Sequence, residues 1–320
     1  MREILTTKYQ PRKLSDFKVN NDSIPLIKSL ISMETLNVLL VGDRGTGKSV
    51  LIQSIVNDYY GSESYDNNIL TITTLKDQGI SYYRTEVKTF CQTASIVPGK
   101  KKILVLDDLD SINEQSQQVF RNCMDKYGQN ILFIASCTNT QKIIDSIQSR
   151  MTLIKLKIFT NDQLDYIAKK ICLKEEIKLT NEARNFVISI CNNSLRILIN
   201  YLEKFKLIDK TINLDIATNS CTNIPFKEFE KFTTYCKFKN NENLYNALQI
   251  IKNLFDMGYS VMDILDSYFL FVKTTPILTE EQKYKATSLI CNYITIFHNI
   301  HEDEIELAFF TNNLISTLSI

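Results

Sequence analysis

Residues 38–49 read VLLVGDRGTGKS, and this stretch decides the fold of the chain. Its four leading apolar residues predict a buried strand, and the apolar spacing of VLIQSIV at 50–56 predicts a helix behind it. Between them, residues 42–49 match the pattern G-x-x-x-x-G-K-[ST], whose glycines let successive backbone N–H groups point at phosphate oxygens. Strand, glycine-rich loop and helix in this order predict a phosphate-binding loop within an α/β domain.

The loop gives each of its polar residues an expected role. Lys48 is placed to reach the β- and γ-phosphates of a nucleoside triphosphate, and the Ser49 hydroxyl is placed to ligate Mg²⁺. The other phosphate-binding positions are expected from the loop itself: Gly42, Gly45, Thr46 and Gly47. The N-terminus of the following helix adds partial positive charge at the same place.

A second motif is an apolar run that ends in carboxylates, KKILVLDDLD at 101–110. In a parallel sheet, ligand-binding groups gather at the C-terminal ends of the strands, which places Asp107 beside the phosphate loop. Asp107 can hold Mg²⁺, directly or through water, and Asp108 can orient or polarise the attacking water.

Further strands are predicted at 69–73, 131–135 and 153–156, and they alternate with helices. This alternation is typical of a doubly wound parallel sheet. At the polar end of the strand at 131–135, Thr138 or Asn139 is expected to face the γ-phosphate.

Beyond residue 157 the pattern is helical. A capping box, Thr160-x-x-Gln163, opens one helix and Thr180 caps the next. The apolar content of the last hundred residues fits either an oligomer contact or simple core packing. The predicted fold class is α/β plus all-α, organised as a nucleotide-binding domain at 1–157, a small helical domain at 158–222 and a C-terminal helical domain at 223–320.

Composition restricts the possible partners. The chain has 320 residues and a formal net charge of +1, so a nucleic-acid site would have to be a local patch. Apolar runs are too short for a membrane span, and the first residues are too polar for a signal peptide. None of the eight cysteines forms a C-x-x-C pair, which favours an intracellular, reducing compartment over a zinc or disulfide framework.

The order of the motifs resembles the AAA+ small subunits of replication factor C, the sliding-clamp loader. The resemblance rests on several stretches: KYQP at 8–11, the loop at 42–49, DQGI at 77–80, LDDLD at 106–110, QQVFR at 117–121, IIDSIQSR at 143–150 and GYS at 258–260. Arg196 stands where the family has a sensor arginine, with Asn193 in place of a glycine. The bacterial loader's cysteine-rich insert is missing, which favours the eukaryotic, archaeal and viral branch.

The resemblance implies an AAA+ P-loop domain, a helical lid at 158–222 and a helical collar at 223–320 that joins subunits. It implies an ATPase that uses ATP and Mg²⁺ to load a PCNA-like sliding clamp onto primer–template DNA during DNA replication. The expected partners are the other clamp-loader subunits, in a hetero-pentamer on which hydrolysis depends. The expected location is the nucleus in a eukaryotic cell, or a cytoplasmic replication site in a virus or archaeon.

The resemblance also carries over to single residues. Tyr9 and Pro11 lie where the family borders the adenine. Arg196 would contact the γ-phosphate from the lid, and Arg150 would reach in trans into the neighbouring subunit's ATP site as an arginine finger. Three side chains match the DNA-facing elements and would contact phosphates without reading bases: Arg84, Lys88 and Arg121.

Two departures from the family leave alternatives open. Asp108 is one methylene shorter than the usual Glu, and Thr138 stands where a sensor Asn is usual. One alternative is therefore a nucleotide-binding but weakly hydrolysing scaffold subunit of the same complex. Another is a different AAA+ replication-initiation or helicase-loading factor, although the last hundred residues lack the strand signals of the winged-helix domain that such proteins usually carry.

Overall fold

The computed structural model describes residues 4–17, 23–61, 66–73, 83–208, 210–221, 224–238, 240–297 and 303–318. The chain forms two compact units, residues 1–213 and residues 214–320. The first unit contains a β-sheet with helices, and the described part of the second unit is helical.

A five-stranded parallel sheet organises the first unit. Its strands are β1 (Val38–Val41), β2 (Ile69–Thr73), β3 (Lys102–Asp107), β4 (Ile131–Cys137) and β5 (Thr152–Lys155). They lie in the order β2-β3-β4-β1-β5, and all four pairings are parallel. All seven residues of β4 are buried, as expected of a central strand that is covered on both faces.

Alternate residues of the strands enter two different apolar cores. Leu39, Leu104 and Phe133 face one core, in which Phe120 is fully buried. Their neighbours along the strands face the other core, with Ile27 and Ile55: Val38, Leu40, Ile103, Val105, Leu132 and Ile134. The period of two in the strands therefore places helices on both faces of the sheet.

The described helices of the first unit are α1 (Leu5–Lys8), α2 (Ile24–Ser32), α3 (Lys48–Tyr60), α4 (Lys88–Gln92), α5 (Glu114–Tyr127), α6 (Asp145–Gln148), α7 (Asn161–Glu175), α8 (Asn181–Ile190) and α9 (Leu195–Ile208). A π-helical turn at Tyr83–Val87 leads into α4. Short 3₁₀ turns lie at Leu14–Asp16, Asp66–Asn68, Leu109–Ser111 and Thr140–Lys142.

The predicted helix starts after residue 157 are confirmed. Thr160 and Gln163 form a reciprocal capping box at the start of α7, and the Thr180 side chain accepts a hydrogen bond from the amide of Ala183 in α8. Helices α7, α8 and α9 pack on one another. One feature was not predicted from the sequence, an isolated parallel β-bridge between Leu179 and Ile212.

Six helices are described in the second unit: α10 (Leu214–Ser220), α11 (Phe226–Cys236), α12 (Asn241–Asp256), α13 (Val261–Thr274), α14 (Glu280–Phe297) and α15 (Glu304–Leu318). Their core is rich in aromatic rings around Tyr268, which is fully buried and packs on Phe229, Phe232 and Phe310. The backbone of Gly258 has φ +92°, a left-handed conformation that suits glycine just after the end of α12.

The predicted fold class, α/β followed by helical regions, is confirmed. The proposed boundaries at 157/158 and 222/223 stay predictions, while the chain passes between its two compact units at 213/214. The stretch DQGI at 77–80, with the predicted start of a helix at Ile80, lies outside the described residues. Among the described helices, none is long and apolar enough to cross a membrane.

Candidate nucleotide-binding site

The glycine-rich loop connects β1 to α3. Gly45 and Gly47 have φ values of +84° and +91°, which side chains rarely tolerate. A Cβ atom built on Gly45 would lie 2.7 Å from the Ser194 hydroxyl oxygen, so the backbone here also comes very close to the segment before α9. The Thr46 hydroxyl donates to the carbonyl of Asp43 at 2.8 Å and closes the turn.

Lys48 is the first residue of α3 and is only 7% exposed. Its Nζ donates to the carbonyls of Gly42 at 2.8 Å and Asp43 at 3.1 Å, so the ammonium group lies on the loop. Both of these acceptors are neutral. The buried positive charge therefore remains available to an anion such as a phosphate.

The end of β3 meets the start of α3 through Asp107. The Ser49 hydroxyl donates to Asp107 Oδ2 at 2.9 Å, and the Ser136 hydroxyl on β4 donates to Asp107 Oδ1. Ser136 in turn accepts a hydrogen bond from the amide of Asp108 at 3.0 Å. A hydroxyl and a carboxylate in contact at this edge are the oxygen ligands that Mg²⁺ prefers, so the two predicted metal ligands fit the ion.

Two further carboxylates follow Asp107. Asp108 is exposed and has a left-handed backbone, with φ 54° and ψ 50°, a conformation that Asp tolerates better than most residues. Asp110 Oδ2 accepts hydrogen bonds from the amides of Thr138 and Asn139, both at 3.0 Å, and from the Thr138 hydroxyl. Burial raises the pKa of Asp110, but these hydrogen bonds outweigh burial and lower the pKa below its ordinary value.

The turn after β4 carries both candidates for the γ-phosphate contact. The only hydroxyl proton of Thr138 is used in its bond to Asp110, so in this arrangement Thr138 can accept but not donate to a ligand. Asn139 is exposed, and its side-chain oxygen accepts a hydrogen bond from the amide of Gln141 at 2.9 Å. Asn139 is therefore the better placed of the two to offer a donor.

The start of α9 lies directly on the phosphate loop. Asn192 and Asn193 have φ values of 46° and 59°, and Asn is one of the few residues that tolerates this left-handed conformation. Asn193 therefore fits this turn without a glycine. The turn places Ser194 against Gly45, and the exposed Arg196 follows two residues later.

Tyr9 and Pro11 connect to elements on both sides of the loop. The Tyr9 hydroxyl donates to Glu175 Oε1 at 2.6 Å, at the end of α7. The carbonyl of Pro11 accepts a hydrogen bond from Ser54 on α3 at 3.0 Å. These contacts hold the N-terminal segment against α3 and α7, and the expected role of Tyr9 and Pro11 beside the adenine stays a prediction.

Arg150 lies elsewhere in the first unit, two residues beyond α6. Its Nε donates to Asp125 Oδ1 at 2.6 Å and its Nη1 donates to the carbonyl of Ser146 at 2.6 Å, which fix an exposed guanidinium. The Arg150 guanidinium lowers the pKa of Asp125. Arg121 lies 3.4 Å from the other oxygen of Asp125, so one carboxylate holds both arginines.

The remaining DNA candidates lie on neighbouring elements. Arg84 is in the π-helical turn and Lys88 begins α4, and both side chains are exposed. These two elements pack against α5, which carries the half-buried Arg121. The packing brings the three elements together.

Sequence reasoning missed several polar residues that organise the site. Gln117 on α5 is fully buried, and its side chain donates to the carbonyls of Ile112 and Lys142, both at 2.9 Å, and accepts from the amide of Ile144 at 3.0 Å. Ser136 is a hydroxyl in an otherwise apolar strand, ILFIASC, and that exception is the signal that could have revealed it. Asp110 belongs to the motif LDDLD, but its hydrogen bonds to the turn after β4 were not predicted, and Ser194 gave no comparable signal.

Comparison with known proteins gives a consistent result. Residues 38–158 match the family model "ATPase family associated with various cellular activities (AAA)". The chain is 27% identical to a replication factor C small subunit of Methanococcus maripaludis, over 90% of this chain and 91% of that protein. It is 27% identical to replication factor C subunit 4 of Saccharomyces cerevisiae, covering 83% and 81% of the two chains.

A viral protein and two solved structures extend the comparison. A putative replication factor C small subunit of Acanthamoeba polyphaga mimivirus is 26% identical, over 83% of this chain and 82% of that protein. A Thermotoga maritima RuvB structure superposes with a TM-score of 0.57 at 15% identity, covering 91% and 99% of the chains. Domain III of Thermotoga maritima DnaA superposes with a TM-score of 0.51 at 22% identity, covering 65% and 95%. These structures support the fold alone.

Proposed function

We propose that this chain, which contains an AAA ATPase domain and is a homologue of replication factor C small subunits, is a clamp-loader small subunit. It binds and hydrolyses ATP to open a sliding clamp and load it onto primer–template DNA during DNA replication. The observation that carries the proposal is the contact between Ser49 and Asp107, which joins the phosphate loop to the carboxylate at the end of β3. The similarity along most of the chain supports the choice of a clamp loader among AAA proteins.

The phosphate loop binds ATP in this proposal. The backbone of residues 42–47 surrounds the phosphates, and Lys48 donates to the β- and γ-phosphate oxygens. Tyr9 and Pro11 border the adenine. Ser49 and Asp107 would hold Mg²⁺, which neutralises charge on the phosphates when bound.

Hydrolysis transfers the γ-phosphoryl group to water and releases ADP and phosphate. Asp108 orients the attacking water, while Asn139 and Arg196 contact the γ-phosphate from the turn after β4 and from α9. Arg150 acts in the ATP site of the neighbouring subunit, where an arginine finger contributes ~10³-fold or more to the rate. Turnover therefore depends on assembly, because the guanidinium comes from another chain.

Exposed apolar side chains support contacts with other subunits. In the second unit, Tyr245, Met257, Tyr284, Ile305 and Phe309 are each more than half exposed. Surfaces of this kind suit burial in a subunit contact, here in a hetero-pentameric collar. DNA phosphates are bound by Arg84, Lys88 and Arg121, and the loop containing the exposed Ile96 is the candidate contact with a PCNA-like clamp. The site of action is the replication site, nuclear or cytoplasmic according to the host.

A reconstitution tests the proposal. The chain is co-expressed with the other clamp-loader subunits of the same genome, and retention of the clamp on primed circular DNA is measured with and without ATP. We expect ATP-dependent loading that requires this chain, and Arg150→Ala is expected to reduce ATP turnover of the complex without weakening ATP binding by this chain. No association with the clamp or the other subunits, in the presence or absence of ATP, contradicts the proposal.

The weakly hydrolysing scaffold is the second candidate, and one observation favours it. The Thr138 hydroxyl is already donated to Asp110, so it offers no proton to the γ-phosphate. Asp107→Ala in the reconstituted complex separates the two roles: loss of loading supports a motor, and unchanged loading supports a scaffold. The likeness to DnaA is confined to the fold and lends no weight to a replication-initiation factor.

A further inference from the structure

Residues 5–16, here called the N-terminal strap, run along two parts of the first unit. Near its end, three side chains of α3 hold the strap backbone. Ser54 donates to the carbonyl of Pro11 at 3.0 Å, Asn57 donates to the carbonyl of Arg12 at 3.0 Å, and Asp58 accepts from the amide of Leu14 at 3.0 Å. The strap is therefore fixed to the helix that begins with Lys48.

The other end of the strap is fixed to α7 and α9 by one carboxylate. Glu175, the last residue of α7, accepts hydrogen bonds from Lys8 Nζ and from the Tyr9 hydroxyl, both at 2.6 Å. Its second oxygen accepts from Lys206 Nζ on α9 at 2.7 Å. The Glu175 side chain is only 4% exposed, while the side chains of Lys8 and Lys206 are 47% and 31% exposed, so solvent reaches the cationic side of these contacts.

The charges in this cluster are stable near neutral pH. Hydrogen bonds from Lys206, Lys8 and Tyr9 lower the pKa of Glu175 to about 2, so the carboxylate stays ionised. Burial and the contact with Glu175 raise the pKa of Tyr9 to about 12, so its hydroxyl remains a donor. The contact therefore persists across the pH range in which ATP binding is measured.

These contacts complete a ring of which the phosphate loop is one part. The loop leads into α3, and α3 holds the strap; the strap binds Glu175, which binds Lys206 near the end of α9. The start of α9 returns to the loop, where Ser194 meets Gly45. The two helices on the loop, α3 and α9, are thus also connected at a distance from it, through Glu175 and through the packing of α1 in the strap against α9.

We propose that Glu175 is a positioning residue for the nucleotide: by closing this ring of contacts it holds α9 against the phosphate loop and so sets the affinity for ATP. The inference rests on the proposed function, since it requires the loop to bind ATP. Glu175 itself is not expected to contact the nucleotide. It acts through Tyr9, the strap and α9.

The test compares Glu175→Gln with a matched control on the same helix, Asp165→Asn. Asp165 is a half-buried carboxylate that pairs with Arg184 and Lys169, so its loss weakens α7 and α8 without touching the strap. The isolated full chain is titrated with a fluorescent ATP analogue and Mg²⁺. Amide hydrogen exchange of residues 5–16 and the thermal midpoint are measured in the same samples.

We expect Glu175→Gln to raise the dissociation constant of the analogue about tenfold, because three charge-assisted or buried hydrogen bonds are lost or weakened, and to speed exchange in the strap. Asp165→Asn is expected to leave the dissociation constant within about twofold at a similar loss of thermal stability. Tyr9→Phe, which removes one donor and keeps the ring, is expected to give an intermediate effect of about threefold.

Unchanged affinity in Glu175→Gln overturns the inference whether or not exchange in the strap becomes faster, because the hydrogen bonds of Glu175 would then have no influence on ATP binding. If Glu175→Gln does not fold, Tyr9→Phe and Lys8→Met decide, and unchanged affinity in both overturns it. An equal loss of ATP affinity in Asp165→Asn also overturns the inference, since any loss of stability in the first unit would then be enough to weaken ATP binding. A wild-type chain that binds no ATP analogue contradicts the proposed function instead.

Discussion

The two compact units bury polar groups in different ways. Among the described residues of the first unit, the buried polar side chains include Lys48 and Ser136, which are hydrogen-bonded at the candidate site, and Gln117, Asn68 and Lys102, which are hydrogen-bonded elsewhere in the unit. In the described part of the second unit, the buried polar side chains are three threonines, Thr233, Thr275 and Thr311, within an aromatic and aliphatic core.

This difference suggests that the two units contribute to different properties of the protein. Burying a polar group costs free energy unless its hydrogen bonds are made, so the structure of the first unit depends on more hydrogen-bonded networks than that of the second. The core of the second unit depends mainly on the packing of rings and aliphatic side chains. We therefore expect changes in the second unit to affect folding and assembly, and changes in the first unit to affect nucleotide binding and turnover.

The largest effect is expected from a substitution that disrupts the packing of the second unit. Tyr268→Ala removes a fully buried ring and is expected to cost about 3–5 kcal/mol of unfolding free energy in that unit. Urea denaturation measures the loss, and titration with an ATP analogue should give unchanged affinity. Tyr268→Phe is the control, because it removes only the hydrogen bond with Thr233 at 3.1 Å and should cost about 1 kcal/mol. A matching loss of ATP affinity in Tyr268→Ala would contradict the separation.

The reverse experiment removes the buried cation of the first unit. Lys48→Ala is expected to lower ATP turnover at this chain's own site about 10²-fold, because a positioned donor to the phosphates is lost, and turnover of the assembled complex falls by the share that this site contributes. Steady-state ATPase assays measure the effect. Arg44→Ala, a change of an exposed cation in the same loop, serves as the control and should retain most of the rate. Full turnover of the complex with Lys48→Ala would show that this chain's own site is dispensable.

A smaller effect tests the turn after β4. Asp110→Asn removes the charge that holds Thr138 and Asn139, and kcat is expected to fall about tenfold with little change in nucleotide affinity. Thr138→Val removes one donor to the same carboxylate. Because Asp110 and Thr138 are hydrogen-bond partners, the fold decrease in kcat of the double variant should be smaller than the product of the two single decreases. Multiplicative losses would mean that the two residues act independently.

The sign of the pH dependence at Asp110 follows from its lowered pKa. The Asp110 carboxylate stabilises the folded state at pH values above the pKa that it has in the unfolded chain. This contribution is lost as the pH falls through its lower pKa in the folded state. Assays of Asp110→Asn near neutral pH therefore measure the full effect of the charge.

The smallest expected effect concerns the backbone before α9. Asn193→Ala puts a residue with no local hydrogen-bonding side chain at φ 59° and is expected to cost about 1 kcal/mol of stability in the first unit. Asn193→Gly should cost less, because glycine tolerates this conformation. Thermal unfolding of the two variants measures the difference, and equal midpoints would indicate that the turn is not strained.

Much of the first unit could be predicted from local pattern. The bounds of β2 match the predicted strand at 69–73, because an apolar run carries its own signal. The loop at 42–49 and Asp107 were found because their motifs are contiguous. The structure brings them together as expected, although their catalytic roles stay predictions.

Contacts between distant residues could not be predicted in this way. Glu175 meets Lys8 across 167 positions of sequence, and Asp110 meets Thr138 across 28, so no local pattern connects them. The use of the Thr138 hydroxyl by Asp110 likewise depends on the pairing of β3 with β4. Such pairs become visible only once the strand order and helix packing are known.

The close approach of Gly45 to Ser194 limits which substitutions this protein can accumulate at position 45. A side chain at position 45 would meet two obstacles, the left-handed backbone and an oxygen 2.7 Å from its first carbon. Replacing Ser194 with a smaller residue would remove the steric clash but not the left-handed backbone conformation. No single second mutation would therefore make a side chain at position 45 acceptable. Among descendants of this sequence, position 45 should stay constant while position 194 drifts.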